Sequence, residues 1–113
     1  MKVMVVEDDP LVREMAVAGL EDTGFEVVKA ASGREALNLL QAGIAVDALL
    51  TDIRLPGADG WAVAKAYRER FPDLPVVYVT GYAEQMQPMP GGIIISKPYR
   101  MAQVIRVLEA WAA

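Results

Sequence analysis

Residues 3–10 read Val-Met-Val-Val-Glu-Asp-Asp-Pro (VMVVEDDP). A short apolar run breaks, without a spacer, into three carboxylates and a proline. Valine-rich runs with little alternation are what strands buried on both faces look like. Asp9-Pro10 is a helix cap followed by proline at the first helical position, where the missing N–H would have had no partner anyway. The stretch therefore reads as a strand passing directly into a helix, with acidic groups at the joint.

Working outward, the same rhythm repeats. Further apolar runs occupy 25–30, 48–51, 76–79 and 93–95, the third strand ending at Asp52 and the fourth at Thr80. The first helix is expected to carry Leu11, Val12, Met15 and Ala16 inward and to stop near Thr23-Gly24, where glycine supplies a C-cap. Ser32-Gly33-Arg34-Glu35 is a capping box opening a helix with Ala36, Leu39 and Leu40 on one side. Asp59 caps a third helix from Gly60 to about Arg70, closed by Pro72 and Pro75. The last helix runs over about 101–111, with Met101, Val104, Val107 or Leu108, and Trp111 near a common face. The segment 81–92, GYAEQMQPMPGG, departs from the rhythm: Pro88 and Pro90 forbid a long helix, so the fourth helix is expected to be shortened or irregular.

Alternating strands and helices predict an α/β fold, a single doubly wound five-stranded parallel sheet with right-handed crossovers. Ligands of such sheets bind at the carboxyl ends of the strands, where the strand order reverses. In the flavodoxin-like order 2-1-3-4-5, the first and third strands flank that point. Glu7, Asp8 and Asp52 stand at the ends of those two strands.

Composition narrows the chemistry. The chain has 113 residues, 54% hydrophobic and 23% charged, which suits one domain with a real core. It contains neither cysteine nor histidine, which excludes disulfides, thiolate chemistry, histidine acid–base catalysis and most zinc sites. Its net charge of −4 argues against non-specific nucleic-acid binding. No apolar run is long enough to span a membrane and no signal peptide opens the chain, so a cytoplasmic location is expected.

Like charges about 4 Å apart repel by roughly 4 kcal/mol at an effective dielectric near 20. Glu7, Asp8 and Asp52 therefore need a cation, or one of them must stay protonated. Oxygen ligands alone favour Mg2+, with Mn2+ as the alternative. Asp52 is also placed to act as a nucleophile, as carboxylates do in aspartyl-phosphate chemistry. The phosphoryl oxygens would then go to the metal, the Thr80 hydroxyl and the Lys97 ammonium.

These residues carry a resemblance over essentially the whole chain. VMVVEDDPLVREM (3–15), LLTDIRLPGADGW (49–61), VVYVTGYA (76–83) and ISKPY (95–99) resemble, in order and at compatible spacings, the motifs of response regulator receiver domains. The resemblance implies one receiver domain over 1–113, the phosphoacceptor of bacterial two-component signalling. It implies that Asp52 takes phosphate from a histidine kinase or histidine phosphotransfer protein. Asp8 and Asp52 would ligate Mg2+ directly, Glu7 through water, and Arg54 by its backbone carbonyl. Thr80 and Lys97 would hold phosphoryl oxygens, and Lys97-Pro98 would be cis. Arg54 and Tyr82 occupy the positions that tune phosphate lifetime, and both are large. An unknown downstream partner would bind the 81–99 surface of a monomer, the protein standing alone or forming part of a hybrid kinase or larger regulator.

The chain also departs from the family. At the switch position, where an aromatic residue usually stands, it has Ile94, and the stretch from Thr80 to Lys97 is shorter than usual. Signalling is therefore expected to shift or order 81–92. Met86, Met89 and Tyr82 in that segment read equally as an adaptable contact surface or as packing over the sheet. Trp61 and Tyr67 read as packing residues, and Gly33, Gly57 and Gly60 as turn or cap residues. Two other functional classes remain: a magnesium-dependent small phosphotransferase or phosphohydrolase, and a binding module of the same fold that works without phosphorylation. Against the first, Arg54 stands where an acid–base residue would be needed.

Overall fold

Each of the first three helices begins where the sequence supplies a side-chain oxygen. In the computed structural model, which describes residues 1–81 and 92–112, Asp9 accepts from the N–H groups of Leu11 at 2.9 Å and Val12 at 3.3 Å. Ser32 accepts from Glu35 N–H at 3.0 Å and Asp59 from Ala62 N–H at 2.9 Å. These caps satisfy orphan donors of the first turn and fix the boundaries that the sequence implies.

The described elements run β1 (Lys2–Val6), α1 (Pro10–Asp22), β2 (Glu26–Ala30), α2 (Gly33–Gln41), β3 (Ala48–Asp52), α3 (Gly60–Arg70), β4 (Val76–Thr80), β5 (Gly92–Ser96) and α4 (Met101–Ala112). The five strands form one parallel sheet in the order β2-β1-β3-β4-β5. The expected fold class therefore holds. The irregular fourth helix of the expectation falls within 82–91, outside the described residues.

Strand alternation divides the core between the two faces of the sheet. Met4 and Val6 of β1 pack with Ala36, Leu40, Val63 and Tyr67 under α2 and α3. Val3 and Val5 pack with Ala16, Leu20, Val104 and Leu108 under α1 and α4. The central strands β3 and β4 are buried along their whole lengths, which is why they read as unalternated apolar runs.

The inward face of α1 follows expectation at Ala16 and departs from it at Leu11 and Met15. Its buried residues are Ala16, Val17 and Leu20, whereas Leu11 is 82% exposed and Met15 48%. The helix starts at the carboxyl edge of the sheet, so its first turn has loops rather than strands beneath it. Its later turns meet β2 and α4, and Gly19 brings it close to Met101.

Tyr67 is fully buried, its hydroxyl donating to the Ala36 carbonyl at 2.9 Å and lying 3.2 Å from Met4 Sδ. Trp61 packs on buried Tyr78 with ring centroids 4.3 Å apart. Of the glycines expected at turns or caps, Gly24, just past the end of α1, and Gly57 have positive φ, +97° and +75°. Gly33 and Gly60 instead serve close approach. A Cβ on Gly33 would run into the Ala58 carbonyl, and one on Gly60 into the Asp52 carbonyl.

Candidate functional site

The carboxyl ends of β1 and β3 lie side by side, with Val6 in register with Thr51. The residues that follow or end these strands consequently meet. Carboxylate oxygens of Glu7, Asp8 and Asp52 all lie within 4.8 Å of one another. Glu7 is 5% exposed and Asp52 7%, while Asp8 is open to solvent.

Lys97 enters from the far side. Thr80 at the end of β4 is in register with Ser96 at the end of β5, and the next N–H, that of Lys97, donates to the Thr80 carbonyl at 2.9 Å. The Lys97-Pro98 bond is cis. From there Lys97 Nζ lies 2.7 Å from Asp52 Oδ2 and 3.5 Å from Glu7 Oε1. Thr80 is 1% exposed.

The electrostatics follow from this packing. Burial pushes the Glu7 carboxyl from its ordinary 4.5 up to about 7, with the Asp52 charge and a hydrogen bond to Asp8 adding to the rise. The Asp9 N–H, which donates to Glu7 Oε2 at 3.2 Å, and the Lys97 charge oppose it. Burial draws the Lys97 ammonium down, but the hydrogen bond and charge of Asp52, with Glu7 behind them, outweigh it and hold Lys97 above its usual value. Three carboxylates against one ammonium leave the cluster short of positive charge, which is why the buried Glu7 holds its proton to higher pH than an ordinary carboxyl. The donor set is oxygen only, so these residues fit a hard divalent cation.

Beside the cluster lies a cleft of about 630 Å³ lined by Asp8, Arg54, Leu55, Pro56 and Trp61 among others. Arg54 is exposed on its wall. Ile94 stands opposite Tyr78 across the β4–β5 pairing and packs against the core beneath α3. Tyr82, Met86 and Met89 lie outside the described residues.

The structure thus brings together Glu7, Asp8, Asp52 and Lys97, sets Thr80 at the adjoining strand end, and keeps Ile94 away in the packing. Sequence reasoning missed the parts that hold this arrangement. Gly60 lets α3 close on the end of β3, its N–H donating to the Ile53 carbonyl at 2.8 Å. Arg13 reaches back to donate from Nη1 to the Glu7 carbonyl at 3.0 Å. The available signal for Arg13 was a cation one turn beyond the Asp9 cap of an acidic joint.

Comparison with known proteins gives a consistent set of likenesses. The family profile described as "Response regulator receiver domain" matches residues 3–109. The sensor kinase CckA of Brucella abortus (strain 2308) is 39% identical over 83 residues, covering 73% of this chain and 9% of that protein. The DNA-binding transcriptional regulator NtrC of Escherichia coli (strain K12) is 42% identical over 87 residues, covering 73% of this chain and 17% of that protein. The chain thus spans only a small part of these two curated relatives. Among solved structures, a response regulator receiver protein from Sinorhizobium medicae WSM419 superposes with a TM-score of 0.91 at 32% identity, over 97% of this chain and 92% of that one.

Proposed function

This chain belongs to the response regulator receiver domain family, and from that membership we propose that it is a phosphorylation-dependent switch whose phosphoacceptor is Asp52. The observation that carries the reading is the meeting of three carboxylates with one ammonium, Lys97 Nζ standing 2.7 Å from Asp52 Oδ2. Asp52 acts as the nucleophile. One of its carboxylate oxygens attacks the phosphorus of a phosphohistidine, the O–P bond forms as the P–N bond breaks, and the imidazole leaves with the electron pair.

Asp8 and Asp52 would hold Mg2+ directly in this reading, Glu7 would act through water, and the Arg54 carbonyl would complete the protein's share; Mn2+ would suit the same donors. A bound ion would neutralise charge on the phosphoryl oxygens. Lys97 hands its hydrogen bond from the Asp52 carboxylate to a phosphoryl oxygen, and the Thr80 hydroxyl takes another. Arg54, on the cleft wall, restricts water and lengthens the life of the acyl phosphate. Tyr82, assigned the same role from sequence, lies outside the described residues.

The phosphodonor is a histidine kinase or histidine phosphotransfer protein, a reading supported by the likeness to a sensor kinase. Residues 1–113 form one receiver domain that catalyses only its own phosphorylation and dephosphorylation and works as a monomer, standing alone or as part of a hybrid kinase or larger regulator. Output passes to a downstream protein through the 81–99 surface. Ile94 is packed against the core and is not an aromatic ring, so it transmits the change by packing rather than by ring rotation. The signalling shift assigned to 81–92 falls almost wholly outside the described residues. None of the described helices is long and apolar enough to cross a membrane.

Binding of beryllofluoride tests the site. A bound fluorine resonance that needs Mg2+ and vanishes in Asp52→Asn is expected. No bound resonance in the parent protein would count against the reading and favour a binding module that works without phosphorylation.

A further inference from the structure

We propose that Arg13 is a positioning residue for the acidic cluster, holding the Glu7-Asp8-Asp9 turn in the geometry a divalent cation requires. The inference rests on the cation-site reading above and adds a residue to it. β1 ends at Val6, and Glu7 N–H makes the last bond to the neighbouring strand β2, donating to the Ala30 carbonyl at 3.1 Å. Beyond that point the chain leaves the sheet. The Glu7 carbonyl accepts from Arg13 Nη1 at 3.0 Å in a half-buried setting. The Asp9 carbonyl accepts from the backbone N–H of the same Arg13 at 2.9 Å. The second bond is the ordinary first-turn bond of α1, made by any residue at this position; what the arginine side chain adds is its hold on the Glu7 carbonyl, immediately before Asp8.

That placement matters because the three carboxylates are not equally restrained. Asp52 is buried and bonded to Lys97. Glu7 is buried and bonded to the Asp9 N–H. Asp8 is the exposed member, so the turn that carries it sets where its carboxylate stands. Arginine suits the task, because its guanidinium stays charged at any working pH and presents donors in a fixed fork. Groups that orient metal ligands typically change affinity by about 10- to 100-fold when removed.

The test titrates Mg2+ into the full chain by calorimetry and follows amide exchange at Asp8 and Asp9 in parallel. Arg13→Ala is expected to weaken Mg2+ binding about tenfold and to speed exchange at both amides before any metal is added. Arg13→Lys, which keeps a donor on a slightly shorter stem, is expected to recover part of the affinity. Leu108→Ala, which empties a core position on α4 far from the turn, controls for lost stability and is expected to bind Mg2+ like the parent. Unchanged affinity in a folded Arg13→Ala overturns the proposal, as does an equal loss in Leu108→Ala. If Arg13→Ala does not fold, Arg13→Lys decides: weaker binding supports the role and parental binding overturns it. Parent protein that binds no Mg2+ would overturn the cation-site reading and this proposal with it. Parental binding with unaffected variants would overturn Arg13 alone.

Discussion

Lys97 donates a 2.7 Å hydrogen bond to Asp52 across the ends of β3 and β5, two strands that do not touch because β4 lies between them. The ammonium spans that gap and counters a carboxylate that is nearly buried. Removing it leaves Asp52 beside Glu7 without their cation.

Lys97→Ala should therefore act in two ways. Phosphorylation by acetyl phosphate at saturating Mg2+ should slow by about a hundredfold, the scale of losing one preorganised charge at a reacting oxygen. The metal-free variant should also melt at a lower temperature than the parent and regain part of the difference when Mg2+ is added. Phosphate incorporation rates and thermal melts with and without Mg2+ read both effects.

Glu7 gives the metal-free protein a pH dependence of definite sign. Its carboxyl is raised from 4.5 to about 7 in the fold, mainly by burial. The folded state thus holds a proton that the unfolded state has lost, and stability falls as pH rises across this window. The contribution is fully present below 4.5 and gone once the pH has passed through about 7. Melting in chelator from pH 5 to 8 should show the decline, and Glu7→Gln should flatten it.

Gly60→Ala should damage the site through the backbone. A Cβ there would meet the Asp52 carbonyl and the Ile53 Cα, neither of which can move without shifting the end of β3. The expected cost is about 3 kcal/mol, together with weaker Mg2+ binding. Gly81→Ala is the comparison, since among the described residues a Cβ there meets nothing within 4 Å. It should change stability by no more than about 0.5 kcal/mol. Urea denaturation and Mg2+ titration of both variants check this.

Tyr67→Phe should cost about 1 kcal/mol by removing the hydroxyl's bond to the Ala36 carbonyl, which keeps its partner within α2. It should also change the alkaline limb. Burial raises the Tyr67 phenol from 10.0 to about 12, so its contribution to stability is complete below 10.0 and lost as pH rises through about 12. The difference between parent and variant stability should narrow across that interval, as followed by urea denaturation at each pH.

These predictions separate what the sequence makes legible from what it hides. The strands and caps could be read because their causes are local: Asp9, Ser32 and Asp59 each bond within three residues of themselves. The acidic cluster followed from strand order, since knowing that β1 and β3 are neighbours puts Glu7, Asp8 and Asp52 at one edge. The face of α1 was misread because Leu11 and Met15 are apolar at helical spacing, and spacing alone does not say that the first turn overhangs the sheet. The work of Gly33 and Gly60 was hidden because the atoms they make room for are backbone atoms of another segment. Arg13 was hidden because its partner is a carbonyl, which every residue carries.

The most direct test of the account is the intact mass of the protein after incubation with acetyl phosphate and Mg2+, compared with Asp52→Asn and with a sample in chelator. The account predicts a gain of one phosphate per chain that depends on Mg2+ and disappears in Asp52→Asn. No gain in the parent protein, or an equal gain in Asp52→Asn, would contradict it.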